Sequence, residues 1–271
     1  MFRPKTRVYL LATMVLAAPL SAQTAAEHIV MGDRDHDAMN AAGALGHYQA
    51  AIQVDPNNAE ALWRASREAV DLGEFDDARR DSLYRLGEQY ARSAVQANAN
   101  ASMAHFALAK AIGRRALSMG ARDRVKFAGV VRQEALEALR LDSLNAGALH
   151  IMGRWHANIM RLSGMSRFIA RNLLGGKIFS EANWRDAARY LERAAALEPD
   201  RVVHKLELAS VYADSGDKLR RNRGRRGLDI LNRLRSDPIV DLVIYDRDLP
   251  EFTGQSVDQK LVSARPTRWS M

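Results

Sequence analysis

The residue types that could do chemistry in this chain are few, and their spacing is wrong for it. Asp33, Asp35 and Asp37 begin like the acidic half of a calcium loop, whose oxygens must surround one ion from several sides. Ala38 stands where that loop needs its turn glycine, and Ala44 where it closes with a bidentate carboxylate. The three aspartates are therefore expected in a polar turn, with no metal. His150 and His156 fall on different faces of a helix, and no His-Glu-x-x-His spacing exists for zinc. Gly175-Gly176-Lys177 lacks the first glycine, the spacer and the hydroxyl residue of a phosphate loop, and no Gly-x-Ser-x-Gly elbow occurs. With Cys 0 there is neither a thiolate nor a disulfide to draw on. The expectation is a non-enzymatic protein without cofactor.

Binding chemistry is better represented, as two rows in register. Trp63, Phe106 and His150 form a row of rings, and Arg67, Lys110 and Arg154 follow one helical turn later as a row of positive charge. Rings can stack a peptide's side chains, and Arg pairs well with carboxylates, so these six residues could line a groove for a protein or peptide partner. An alternative stays open: the rings pack between neighbouring units and the bases are merely solvated, with Arg67 beside Glu68. Leu206 and Ser210 break both rows in the last unit.

The rows exist only if the chain repeats, and it does. Ala44, Tyr48, Ala51 and Pro56 are echoed by Ala187, Leu191, Ala194 and Pro199. Small residues at i and i+7, a bulky one at i+4 and a closing Pro describe a helix packed close to its neighbour, since packed helix axes lie only about 8 to 10 Å apart. Weaker copies run through Gly87, Ala91, Ala94 and Asn98-Ala99-Asn100, and through Ala135, Ala138 and Leu141-Asp142-Ser143-Leu144-Asn145. The pattern predicts an all-α protein, an α-solenoid of about four to five helix pairs whose first helices line the concave flank. Helices are expected over about 24–33, 38–54, 59–72, 76–97, 102–118, 122–141, 146–164, 181–197, 202–215 and 219–236.

The small-large-small-Pro signature resembles the tetratricopeptide repeat, although the units here are longer than the usual 34 or so residues. A narrower resemblance lies in Gly153-Arg154-Trp155, the insert ending Leu173-Leu174-Gly175-Gly176, and the closing repeat from Ala187 to Pro199. That order is similar to the regulator of microtubule dynamics family, over about residues 40 to 235. The resemblance implies association with microtubules and organelle membranes as in the animal members. It carries no catalytic residues over.

Three segments remain. Met1-Phe2-Arg3-Pro4-Lys5-Thr6-Arg7 is positive, Val8 to Leu20 is apolar, and Ser21-Ala22-Gln23 offers small residues. This is the form of a signal peptide over 1–22, cleaved near Ala22, so the protein is expected to be exported, periplasmic or secreted. The apolar run is short of the roughly 20 residues that span a bilayer. The insert from Arg161 to Lys177 mixes Leu162, Met165, Phe168 and Ile169 with Arg167 and Arg171, and could either touch an anionic membrane or fold back over the solenoid. Lys218, Arg220, Arg221, Arg223, Arg225 and Arg226 form a basic patch. Without interleaved aromatics or a nucleic-acid motif it reads as a solvated helix face, and no nucleic acid is expected. The repeat domain is placed at 23–240, with a loosely held tail over 241–271. The formal net charge of +8, three of it in the leader, leaves a moderately basic body.

Overall fold

The structure, a computed structural model, describes residues 23–172 and 177–215. The expected signal peptide, the Leu173 to Gly176 turn, the basic patch and the tail lie outside the described residues.

Among the described residues every regular element is helical: α1 Ala25–Asp37, α2 Ala41–Val54, α3 Ala59–Phe75, α4 Arg80–Ala97, α5 Ser102–Leu117, α6 Ala121–Leu141, α7 Ala146–Arg161, α8 Gly164–Asn172, a 3-10 turn Lys177–Glu181, α9 Trp184–Leu197 and α10 Val202–Ser215. The units are the antiparallel pairs α1–α2, α3–α4, α5–α6 and α7–α9, with α10 opening a fifth. First helices follow one another along one flank, α3 packing on α5 and α5 on α7. This is the expected α-solenoid.

The turns between units show why the chain reverses where it does. Asp55 and Asp142 accept the backbone N–H two residues on, and Asn98 does the same in the middle junction. Short polar side chains stabilise such turns by bonding their own backbone. Asn58 and Asn145 then cap α3 and α7, their side-chain oxygens accepting from Ala61 and Ala148 at 3.0 and 2.9 Å. Ala101 occupies the same place before α5 without a side-chain cap. Thr24 and Glu27 form a capping box on α1, and Asn183 caps α9.

Within a pair, one bulky side chain of the second helix lies on a glycine of the first. A Cβ on Gly32 would meet the Tyr48 ring at 2.5 Å, and one on Gly153 would meet Leu191 at the same distance with the Ala187 carbonyl at 3.1 Å. Tyr48 and Leu191, equivalent in sequence, therefore do the same packing job at opposite ends of the solenoid. Ala44, Ala51, Ala187 and Ala194 beside them are fully buried.

Two expectations need correction. Asp33, Asp35 and Asp37 do not form a turn but continue α1 through Asp37, because Asp33 is held by Tyr48 and Arg64 while Asp35 accepts from Asn40. The chain turns later, at Met39 with φ 58°. The first helix is thus a turn longer than expected, and α4 starts at Arg80 rather than near 76 because Asp76 turns back to accept the Arg79 N–H.

Candidate functional site

The flank formed by α1, α3, α5, α7 and α10 carries most of the charged side chains that reach from one unit to the next. Arg64 of α3 donates to Asp33 of α1 at 2.8 Å. Lys110 and Arg114 of α5 pair with Asp71 and Glu74 of α3. Arg154 and Arg161 of α7 pair with Glu207 of α10 at 3.6 and 2.9 Å, and Arg161 also holds Asp214 at 2.7 Å. The partners recur at helical spacing: Lys110 and Arg114 are i, i+4, Arg154 and Arg161 are i, i+7, and so are Glu207 and Asp214. Each stripe faces the next helix.

The six residues of the two expected rows are brought to this flank but not left open on it. Trp63 is half-buried with the Arg64 and Arg67 guanidinium carbons 4.4 and 5.5 Å from its ring centroid. Phe106 lies directly over Gly147, so its ring fills the gap between α5 and α7. His150 meets His204 of α10, Nδ1 to Nδ1 at 3.0 Å. Arg67 donates to Glu68 at 2.6 Å and to the Tyr48 hydroxyl at 3.3 Å, Lys110 is bound by Asp71 and Arg154 by Glu207. At the place of the broken charge row, Ser210 accepts from Arg161 at 3.0 Å. Sequence reasoning misses the acids Asp33, Asp71, Glu74, Glu207 and Asp214. Their signal is the matching helical spacing on neighbouring first helices.

Beneath the flank, the junction of the first unit with α3 contains a polar core. Glu68 is only 1% exposed and takes both Arg67 and His36, the latter at 3.0 Å. Burial pushes the Tyr48 phenol well above its usual range, and its hydrogen bond to Asp33 adds to this. At Asp33 burial also pushes upward, but hydrogen bonds from Arg64 and Tyr48, together with the charges of Arg64 and Arg67, outweigh it and hold its carboxyl below the usual range. On α7, His156 faces away from His150 as its position predicts, stacking on Tyr190 with centroids 5.7 Å apart. No group of three or more His, Asp or Glu among the described residues could hold a metal ion.

Opposite the flank, Trp155 anchors the insert. Its indole N–H donates to the Ala128 carbonyl of α6 at 2.9 Å, and it packs with Ile159, Ala170 and Phe179. The insert thereby folds back, but only in part. Ala170 and Phe179 are buried, while Met165, Phe168 and Ile169 stay 69, 58 and 38% exposed on one face of α8. No helix of the described residues is long and apolar enough to cross a membrane.

Antiparallel helix pairs stacked by glycine-against-bulky contacts, with first helices linked along one flank, define a tetratricopeptide-like repeat protein. A solved tetratricopeptide-repeat protein of Thermus thermophilus has this fold: TM-score 0.55 and 18% identity, covering 83% of this chain and 98% of that one. The chain belongs to the regulator of microtubule dynamics protein 1-3 family, whose model matches residues 27–220. Regulator of microtubule dynamics protein 1 of Bos taurus is 26% identical over 157 residues, 56% of this chain and 49% of that protein. The Mus musculus protein of the same name is likewise 26% identical over 157 residues, 56% of this chain and 51% of that protein. The chain thus spans about half the length of these curated relatives. A shorter stretch of 57 residues is 51% identical to a PIN and TRAM-domain containing protein of Bacillus subtilis (strain 168), covering 21% of this chain and 15% of that protein.

Proposed function

We propose that the chain is an exported, non-enzymatic helical-repeat adaptor that binds a protein partner along the flank of α3, α5, α7 and α10. The carrying observation is the set of ion pairs between first helices along this flank, joining α1 to α3, α3 to α5 and α7 to α10, from Arg64–Asp33 to Arg161–Asp214. Paired charges fix the spacing of the units and present acids and bases alternately, so a mixed-charge segment can align with them without meeting a field of one sign. Trp63, Arg67, Phe106, Lys110, His150 and Arg154 belong to this surface, the rings as its floor and the bases as its rungs. Fold alone does not assign a partner, so the test must find one. Crosslinked complexes from envelope extract should lose the same species in Lys110→Glu/Arg154→Glu and keep it in Arg140→Glu, whose side chain lies on α6 and pairs with Glu137. An unchanged set in the flank variant, with a native melting curve, would overturn the reading. Export rests on the leader, and a mature N-terminus at Gln23 in the envelope fraction is its expected readout.

A second reading has its own observation, the apolar face of α8. We infer that Met165, Phe168 and Ile169, with the exposed Arg171 and Lys177 beside them, give the insert a surface for anionic bilayer. The relatives' name, regulator of microtubule dynamics, raises a cytoskeletal polymer as the other extended surface of this kind. Exposed charges are screened beyond about 8 Å at physiological salt. Binding of anionic vesicles that is lost in Phe168→Glu supports this reading, and equal binding by that variant removes it.

A further inference from the structure

Each of the two histidines facing one another between α7 and α10 has a partner that limits its protons. His204 is almost wholly buried, and its Nε2 lies 2.9 Å from Glu198, an acceptor that fixes a proton on that nitrogen. Its other nitrogen, Nδ1, is 3.0 Å from His150 Nδ1. Two ring nitrogens at hydrogen-bond distance share a single hydrogen: one donates and the other accepts. With both rings neutral, His150 Nδ1–H donates to His204. With one extra proton, His204 becomes the donor to both Glu198 and His150, and the chain of bonds survives with its direction reversed. A second proton puts two N–H groups face to face, and no tautomer relieves them.

The surroundings set where that limit falls. His150 is faced by Arg154 on its own helix, by Arg114 from α5, and by His204 and Arg201 from α10 and the turn before it. His204 is faced by His150, by the acid Glu198 and by Arg201. Glu207, the acid on α10 nearest this group in sequence, is engaged by Arg154 and Arg161. Burial first and then the neighbouring positive charges push His150 well below the usual histidine range. Burial also lowers His204, although Glu198 opposes the shift. Both folded forms therefore bind protons less readily than the unfolded chain. The stabilisation they give is complete above the unfolded value of about 6.5 and is lost as pH falls below it.

We propose that the His150–His204–Glu198 chain is an acid-sensitive latch that closes the start of α10 on α7 at neutral pH and releases it when both rings must carry a proton, while the pairs of Arg161 with Glu207 and Asp214 hold the rest of α10. The apolar contacts of Leu208, Val211 and Tyr212 with Trp184, Ala187 and Leu191 keep α9 and α10 together, so opening loosens the end of the flank rather than unfolding the solenoid. The same surface is the one proposed to bind a partner, but the latch stands without that reading, because its test needs no partner.

The test is hydrogen exchange on the full chain between pH 7.5 and 5, expressed as protection factors so that intrinsic chemistry cancels. Amides in the first turns of α10 should lose protection at least tenfold on acidification while those of α3 and α4 hold. His150→Asn keeps a neutral donor near the Nδ1 position and cannot take a proton, so the acid response should vanish. His204→Asn should behave alike and serves if the first variant folds poorly. Glu207→Gln, which alters the neighbouring ion pairs and leaves both rings in place, should keep the response. Protection at the start of α10 that is flat with pH in the wild type, or an acid response that persists in both histidine variants, would overturn the latch.

Discussion

Tyr48 and Leu191 occupy the same place in the first and last helix pairs, yet they make different interiors. Both press on a glycine, Gly32 and Gly153, and both are fully buried between paired alanines. Leu191 ends in a dry cluster with Ala157, Trp184, Leu208 and Val211. Tyr48 carries a hydroxyl through the same position, where it donates to Asp33 at 2.7 Å and accepts from Arg67. One repeat geometry thus supports a sealed apolar joint at one end and a polar network at the other. The small residues decide how close the helices come, and the tip of the large residue decides what chemistry lies between them.

The largest expected effect tests the dry end. Leu191→Ala removes a side chain with no exposed surface and leaves a cavity that Ala187, Ala188 and Ala194 are too short to fill. Loss of about 2 to 5 kcal/mol is expected by urea denaturation. A cost below about 1 kcal/mol would mean that α9 and α10 collapse onto α7 and that this end is soft rather than sealed.

The glycines come next. Gly153→Ala forces a methyl against Leu191 with a backbone carbonyl, that of Ala187, immediately behind. Overpacking of this kind costs about 1 to 3 kcal/mol. For Gly32→Ala the three nearest atoms all belong to the Tyr48 ring, with no backbone atom among them, so its cost should fall at the lower end. Equal melting temperatures for the two variants would erase the proposed difference in rigidity between the two joints.

The joints are legible in the sequence and the ladder is not, for a physical reason. Alanine, a bulky residue and a terminal proline leave their mark at fixed spacing on one helix, so Ala44, Tyr48, Ala51 and Pro56 can be read against Ala187, Leu191, Ala194 and Pro199 without knowing any contact. An ion pair such as Lys110–Asp71 joins residues on different helices, and its register depends on how far one unit is rotated on the next. Rotation is set by packing detail such as Phe106 over Gly147, which no single helix records. The aspartates at 33 to 37 read as a turn for the same reason: Asp33 stays helical because Arg64, on α3, claims it.

The polar end gives a smaller prediction. Tyr48→Phe deletes one hydroxyl, and neither of its partners is left alone, since Asp33 retains Arg64 and Arg67 retains Glu68. The expected cost is about 0.5 to 1.5 kcal/mol, that of one hydrogen bond without a buried orphan. A loss matching that of Leu191→Ala would show that the phenol, and not the packing of its ring, sets the first joint.

The smallest effect separates the two ends by acid. The carboxyl of Asp33 is held below its usual range in the folded chain, so the unfolded chain binds its proton more readily. The stability it lends is present above about pH 3.9 and disappears only as pH falls through the lower folded value. The side chain is 40% exposed, so the effect is modest. Between pH 7 and 5 the first unit should therefore hold its exchange protection, since Asp33 stays ionised over that range, while the start of α10 loosens through its histidines. Asp33→Asn, which keeps an acceptor for Tyr48 and gives up the charge, should flatten the response of α1 below pH 4 without touching that of α10. Should α1 and α10 instead open together at one pH, the solenoid would be a single cooperative unit, and the contrast between its wet and dry joints would have no energetic consequence.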